Sequence, residues 1–234
     1  MRLYIFLFLA LAGSLGATQL FTNPGFEMGS LNGWTVESTP SSGVGSPSSD
    51  DSFFVSSSML TPSTGNPTVG PADGTYYAVS DTDNLVSPET TVIYQTVTIP
   101  NTDSLILSLD MFVNDVYGGL YGSSGFGGEV AIWASGSDPL TATPTTVLFG
   151  GPVDTFLDPQ GDPNPYIFYS ASILGDVTLG STYEIGVLES DTSGPINVGI
   201  DDFSLMTPEP GTLLLTGAFA AGLLCFGRAR RSRR

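Results

Sequence analysis

The chain has 234 residues, with 23 acidic and six basic side chains and a formal charge of −17 at neutral pH. It contains no histidine and a single cysteine, Cys225, which excludes Ser-His and Cys-His nucleophiles, thiolate zinc sites and disulfides. The six basic residues are Arg2 and five arginines from Arg228 onward, so no cation stands between Leu3 and Gly227. A surface of this kind repels phosphate, and nucleic acid is not a partner. It attracts counterions, divalent cations first among them, and it also serves solubility in a secreted protein.

Met1-Arg2 and the apolar run Leu3 to Ala12, followed by the small residues Gly13 to Ala17, read as a secretory signal peptide over 1–17. The competing reading is an uncleaved N-terminal anchor. The next segment runs Leu20-Phe21-Thr22-Asn23-Pro24-Gly25-Phe26-Glu27 and, after a Gly-containing turn, Gly33-Trp34. It resembles the opening of galactose-binding-like β-sandwich modules, a jelly-roll group rich in carbohydrate-binding modules. Pro24 stands where that pattern has its first glycine. Phe26 and Trp34 are the expected core anchors.

Residues 38–58 and 56–71 are rich in Ser, Thr, Gly and Pro and read as loops around a short Phe53-Phe54-Val55 strand. Strands follow over 73–79, 91–99, 105–113, 182–189 and 196–206, marked by period-two alternation, and 129–134, 146–149 and 166–174 continue the series. In 105–113 the residues Leu105, Leu107, Leu109 and Met111 share one face. In the last strand, alternation puts Val198, Ile200 and Asp202 on one side and Gly199, Asp201 and Phe203 on the other. No amphipathic helix interrupts the series, so 18–206 is expected to form one antiparallel β-sandwich. The closing Ile200-Asp201-Asp202-Phe203 resembles the last strand of the same jelly-roll modules.

The final segment, 207–234, has three parts: Pro208-Glu209-Pro210, an apolar run over 212–227, and Arg228, Arg230, Arg231, Arg233 and Arg234. The prolines stop the preceding strand. As a helix the apolar run reaches roughly 24 Å, slightly short of a full span, which bilayer thinning and snorkelling arginines make up. Positive-inside orientation keeps the arginines cytoplasmic and the body outside. This order of parts resembles a PEP-CTERM sorting signal. The resemblance implies an exported protein of a Gram-negative bacterium, inserted by one transmembrane helix and handed to an exosortase. It also implies retention at the cell surface or release into an exopolysaccharide matrix. The competing reading is an ordinary C-terminal membrane helix without processing.

The fold expectation is therefore all-β: a jelly-roll-like antiparallel sandwich between a signal peptide and a single transmembrane helix. The jelly-roll resemblance further implies a structural Ca²⁺ where first and last strands meet, at Glu27 and Asp201 or Asp202. Asp73, before the Gly74 turn, supplies a further oxygen. Hard oxygen ligands without a neighbouring cation suit that ion, although the same acids also serve as solvated caps of backbone amides. Candidate ligand rings are Tyr117, Tyr121, Phe126 and Trp133, since aromatic faces stack on sugars, with the alternative that Trp133 is core. No carboxylate pair, such as Asp110 with Glu129, stands out as a hydrolytic site. The expected role is non-enzymatic, structural or adhesive beside exopolysaccharide. The alternatives are a carbohydrate-binding module with a defined glycan, and a glycan-active enzyme.

Overall fold

The alternation of apolar and polar residues becomes eleven strands in the computed structural model, which describes residues 17–39, 52–81, 89–115, 127–150, 163–191 and 196–207. They are β1 (Thr18–Gln19), β2 (Thr35–Ser38), β3 (Ser52–Ser56), β4 (Tyr77–Asp81), β5 (Glu89–Thr98), β6 (Ile106–Asp115), β7 (Gly127–Ala134), β8 (Thr146–Gly150), β9 (Ile167–Ser172), β10 (Thr182–Asp191) and β11 (Ile196–Thr207). The expected signal peptide and the sorting segment 208–234 lie outside the described residues. So do Tyr117, Tyr121 and Phe126. Among the described residues, no helix is long and apolar enough to cross a membrane.

All pairings are antiparallel, in two sheets. One runs β3-β4-β11-β6-β9, with β1 added to β11, and the other runs β2-β5-β10-β7-β8. From β4 to β11 the chain crosses between the sheets repeatedly, so neighbours in space come from distant sequence. The first and last strands are neighbours, with Thr18 opposite Thr207 and Gln19 opposite Met206.

Period two puts alternate side chains between the sheets. Leu107, Leu109 and Met111 of β6 meet Ile132 of β7, Ile185 and Val187 of β10, and Val198 and Ile200 of β11, all fully buried. One end of this core is closed by rings from the opening segment. Trp34 stacks on Phe21 and Phe26 at centroid distances of 5.5 and 5.3 Å and meets Phe203 edge-on at 5.4 Å. The indole N–H donates to the Asn23 carbonyl at 3.0 Å. Phe26 and Trp34 are thus the anchors expected of them, and removing either ring costs about 3–5 kcal/mol. Holding them requires left-handed backbone at Asn23 (φ 50°) and Phe26 (φ 57°). Asn23 supports its own strain, donating from Nδ2 to the Ser30 carbonyl and accepting the Met28 amide.

Candidate functional site

The four acids expected at the strand junction do come together. β11 follows regular register against β6 as far as Asp201 opposite Asp110, then bulges and resumes at Ser204 opposite Ser108. Asp202 takes φ 47° in the bulge. The extra residue breaks the alternation: Phe203 turns into the core beside Ile200, Asp201 is buried on the other face, and Asp202 is exposed. This corrects the expectation that Asp202 shares a side with Val198 and Ile200. The Phe203 amide donates to the Pro24 carbonyl at 3.1 Å, which pins the opening segment across the bulge.

Two carboxylates at this corner hold one turn. Glu27 accepts the Thr75 amide on both oxygens, at 2.9 and 3.1 Å, and the Tyr76 amide at 3.0 Å. Asp201 accepts the amides of Ala72 at 2.9 Å and Asp73 at 3.3 Å on Oδ2, and that of Asp202 at 2.8 Å on Oδ1. Gly74 (φ 64°) leaves room for the Glu27 carboxylate, which a Cβ would strike. Gly25 does the same for Asp202, whose Oδ1 would lie 3.3 Å from an added Cβ.

The corner is electrostatically loaded. Burial pushes the Asp201 carboxyl up to about 6, even against its three amide donors, and the Asp202 charge adds to the rise. Asp202 is raised by burial and then by the charges of Asp73 and Glu27. Asp110 is raised by burial and by Asp202. Among the described residues, no three of the acids are grouped closely enough to hold a metal ion as they stand. The donor set is nevertheless hard oxygen throughout, and no described amide donates to the carboxylates of Asp73 or Asp202.

From the corner a row of side chains runs across the outer face of the first sheet. Asp201 stands opposite Asp110, and Asp110 opposite Phe168. Directly paired residues share a face, with side chains about 5 Å apart. The adjoining row is Ser204, Ser108 and Ser170. Phe168 is 64 % exposed, the only aromatic ring among the described residues that is mostly exposed. Glu129 lies elsewhere: opposite Leu188, it is on the outer face of the second sheet. Asp110 and Glu129 therefore face away from each other across the sandwich and cannot act as a pair.

Trp133, expected among the ligand rings, is fully buried instead. It lies on the outer face of the second sheet, but Leu140 and Ala142 of the following loop cover it, and its indole N–H donates to the Ala142 carbonyl at 3.2 Å. Neighbouring Glu184 accepts the Gly136 amide at 3.0 Å and so holds the same loop down. Periodicity did not single out Phe168. The signal for Phe168 was present as an aromatic among the serines of one strand.

No family model matches the chain, and no curated protein matches it by sequence. Solved structures do share its form. The K3 cleaved adhesin domain of Lys-gingipain from Porphyromonas gingivalis w83 superposes with a TM-score of 0.51 at 12% identity, over 82% of this chain and 99% of that one. The Stig cyclase Fisc from Fischerella sp. TAU gives 0.50 at 15% identity, over 83% and 100%. The carbohydrate-binding module TmCBM61, solved with beta-1,4-galactotriose, gives 0.49 at 13% identity, over 81% and 99%. At such identities the first two likenesses show a shared fold, the two-sheet antiparallel β-sandwich.

Proposed function

We propose that the protein is an exported β-sandwich that binds glycan without turning it over. The observation that carries this reading is the pair Asp110 and Phe168 beside Ser204, Ser108 and Ser170 on an outer sheet face, at the edge of the corner that Asp201 closes. An exposed ring offers a surface to the apolar face of a sugar. Carboxylate and hydroxyl oxygens beside it accept and donate hydrogen bonds to sugar hydroxyls. The chain's lack of Lys, Arg and His in its body favours neutral over anionic glycans. This reading goes further than a purely structural or adhesive role in the exopolysaccharide matrix, and it supplies a physical basis for one.

Export, the membrane-inserted precursor and exosortase processing near Pro208-Glu209-Pro210 rest on the sequence of the two chain ends. A structural calcium at the acid corner is proposed beside them. Glu27, Asp73 and Asp202 would hold it, with the ion supplying the positive charge that those carboxylates lack.

The test is a glycan array probed with the full chain in mild detergent, followed by titration of any hit against Phe168→Ala. Binding without product release, weakened by the substitution, is the expected result. Intact-mass measurement of the protein recovered from its host reads both ends and tests the sorting scheme. A cytosolic product with both termini intact would overturn that scheme.

A further inference from the structure

A cleft of about 610 Å³ opens at the other edge of the same sheet, between the end of β3 and the hairpin 59–68. The hairpin is built firmly. Leu60 bridges to Pro67, the Thr61 amide donates to the Asn66 carbonyl, and the Thr68 amide donates to the Met59 carbonyl, both at 2.9 Å. Inside its tip the Thr61 and Thr64 hydroxyls bond at 2.8 Å. Asp81, fully buried on β4, accepts the amides of Ser63 and Thr64 and the Thr64 hydroxyl. The opposite wall carries Tyr76. A Cβ on Gly29 would stand 3.2 Å from Cζ and 3.5 Å from both Cε atoms of that ring, so one ring face lies flat on Gly29. Tyr76 also lines the cleft, and its amide is fixed by Glu27.

The walls thus combine Tyr76 and Leu60 with the exposed residues Ser57 and Ser63, the Thr61 and Thr64 hydroxyls being taken up within the hairpin tip, and among the described residues no charged side chain lines the space. Hydroxyls both donate and accept, as sugar hydroxyls do. The volume lies within the range of small-molecule sites. We infer that this cleft is a saccharide subsite for a neutral sugar, stacked on Tyr76 and hydrogen-bonded by the exposed Ser57 and Ser63 hydroxyls. It stands apart from the Phe168 face. The sheet order β3-β4-β11-β6-β9 puts four strand spacings, about 19 Å, between the two edges.

The experiment is calorimetric titration of the full chain in mild detergent with beta-1,4-galactotriose, xylotetraose and cellotetraose, with trigalacturonate as the charged control. Ser57→Trp fills the cleft from an exposed position, and Tyr76→Ala removes the ring; thermal melts verify that both remain folded. In a Phe168→Ala background, each is expected to weaken at least one neutral oligosaccharide tenfold or more. Affinities of Ser57→Trp within twofold of its parent for all three sugars overturn the cleft. If Phe168→Ala alone then abolishes binding, the sheet-face reading survives that loss. Trigalacturonate bound as tightly as the neutral sugars overturns the ligand class, and absence of binding by the unsubstituted chain to all three overturns the subsite.

Discussion

Asp81 and Thr64 form a two-point clasp: the Thr64 hydroxyl donates to one carboxylate oxygen and its amide donates to the other, at 3.1 Å. Asp81 is fully buried, and a buried carboxylate is tolerated only with such donors around it. Asp81→Ala leaves the Ser63 and Thr64 amides and a hydroxyl without that acceptor. The expected loss is about 3 kcal/mol, since hydrogen bonds to charged groups contribute about 1.5–3 kcal/mol each and water recovers part of it at the hairpin tip. Urea unfolding measures it, and an unchanged midpoint would contradict the clasp.

The acid corner sets a direction for pH dependence. Asp201 is raised to about 6 by burial, and Asp202, Asp110 and Glu129 are raised as well, each with burial as the leading cause. The folded state therefore binds more protons than the unfolded chain between about pH 4 and 6. Stability falls as pH rises through that window and levels off above it. Each unit of displacement is worth about 1.4 kcal/mol. Thermal melts in metal-free buffer are expected to give a higher Tm at pH 4.5 than at pH 7, with the difference reduced in Asp201→Asn. A Tm that climbs from pH 4.5 to 7 contradicts the electrostatic account.

Much of this was legible in the sequence, for physical reasons. Leu105, Leu107, Leu109 and Met111 announce a half-buried strand because period two has one meaning in a sandwich, and the strands from 91 onward fall where alternation puts them. The meeting of Glu27 with Asp201 and Asp202 followed from a resemblance at the two ends of the body. The bulge did not follow, because alternation assumes unbroken register; one added residue sends Phe203 inward and Asp202 outward. Trp133 misled for another reason. Its strand position was right, but a loop eight residues further on covers it, and no local pattern encodes that cover. Phe168 gains meaning only once β9 is known to end its sheet among the described residues with that ring exposed. β2 was read as loop, since four residues between a turn and a Ser-rich stretch carry almost no periodicity.

The calcium proposal makes an opposite demand on the same residues. Bound calcium needs ionised carboxylates, so it stabilises more at pH 7 than at pH 4.5 and reverses the slope just derived. At a hundredfold excess over Kd it contributes about 2.7 kcal/mol, which raises Tm by about 5–10 °C for a body of this size. The comparison is a melt in calcium against one in chelator, with magnesium as control. Asp202→Asn is expected to abolish the calcium shift while leaving the chelator melt unchanged or higher. Equal melts with and without calcium at pH 7 would sink the proposal.

Phe168→Ala separates binding from folding better than any other substitution on the sheet face. The ring is 64 % exposed, so its removal takes little apolar area out of the folded core, and Tm is expected to hold within about 2 °C. Glycan affinity is expected to fall at least tenfold, about 1.4 kcal/mol, because a stacked ring acts as the anchor of a contact whose other members are hydroxyls. Asp110→Asn, directly opposite in register, keeps the shape and one acceptor. Its effect on affinity is therefore expected to be smaller, about threefold. Isothermal titration gives both numbers with the same ligand. A loss of affinity in Asp110→Asn that exceeds the loss in Phe168→Ala would mean that polar contacts, and not the ring, organise the face.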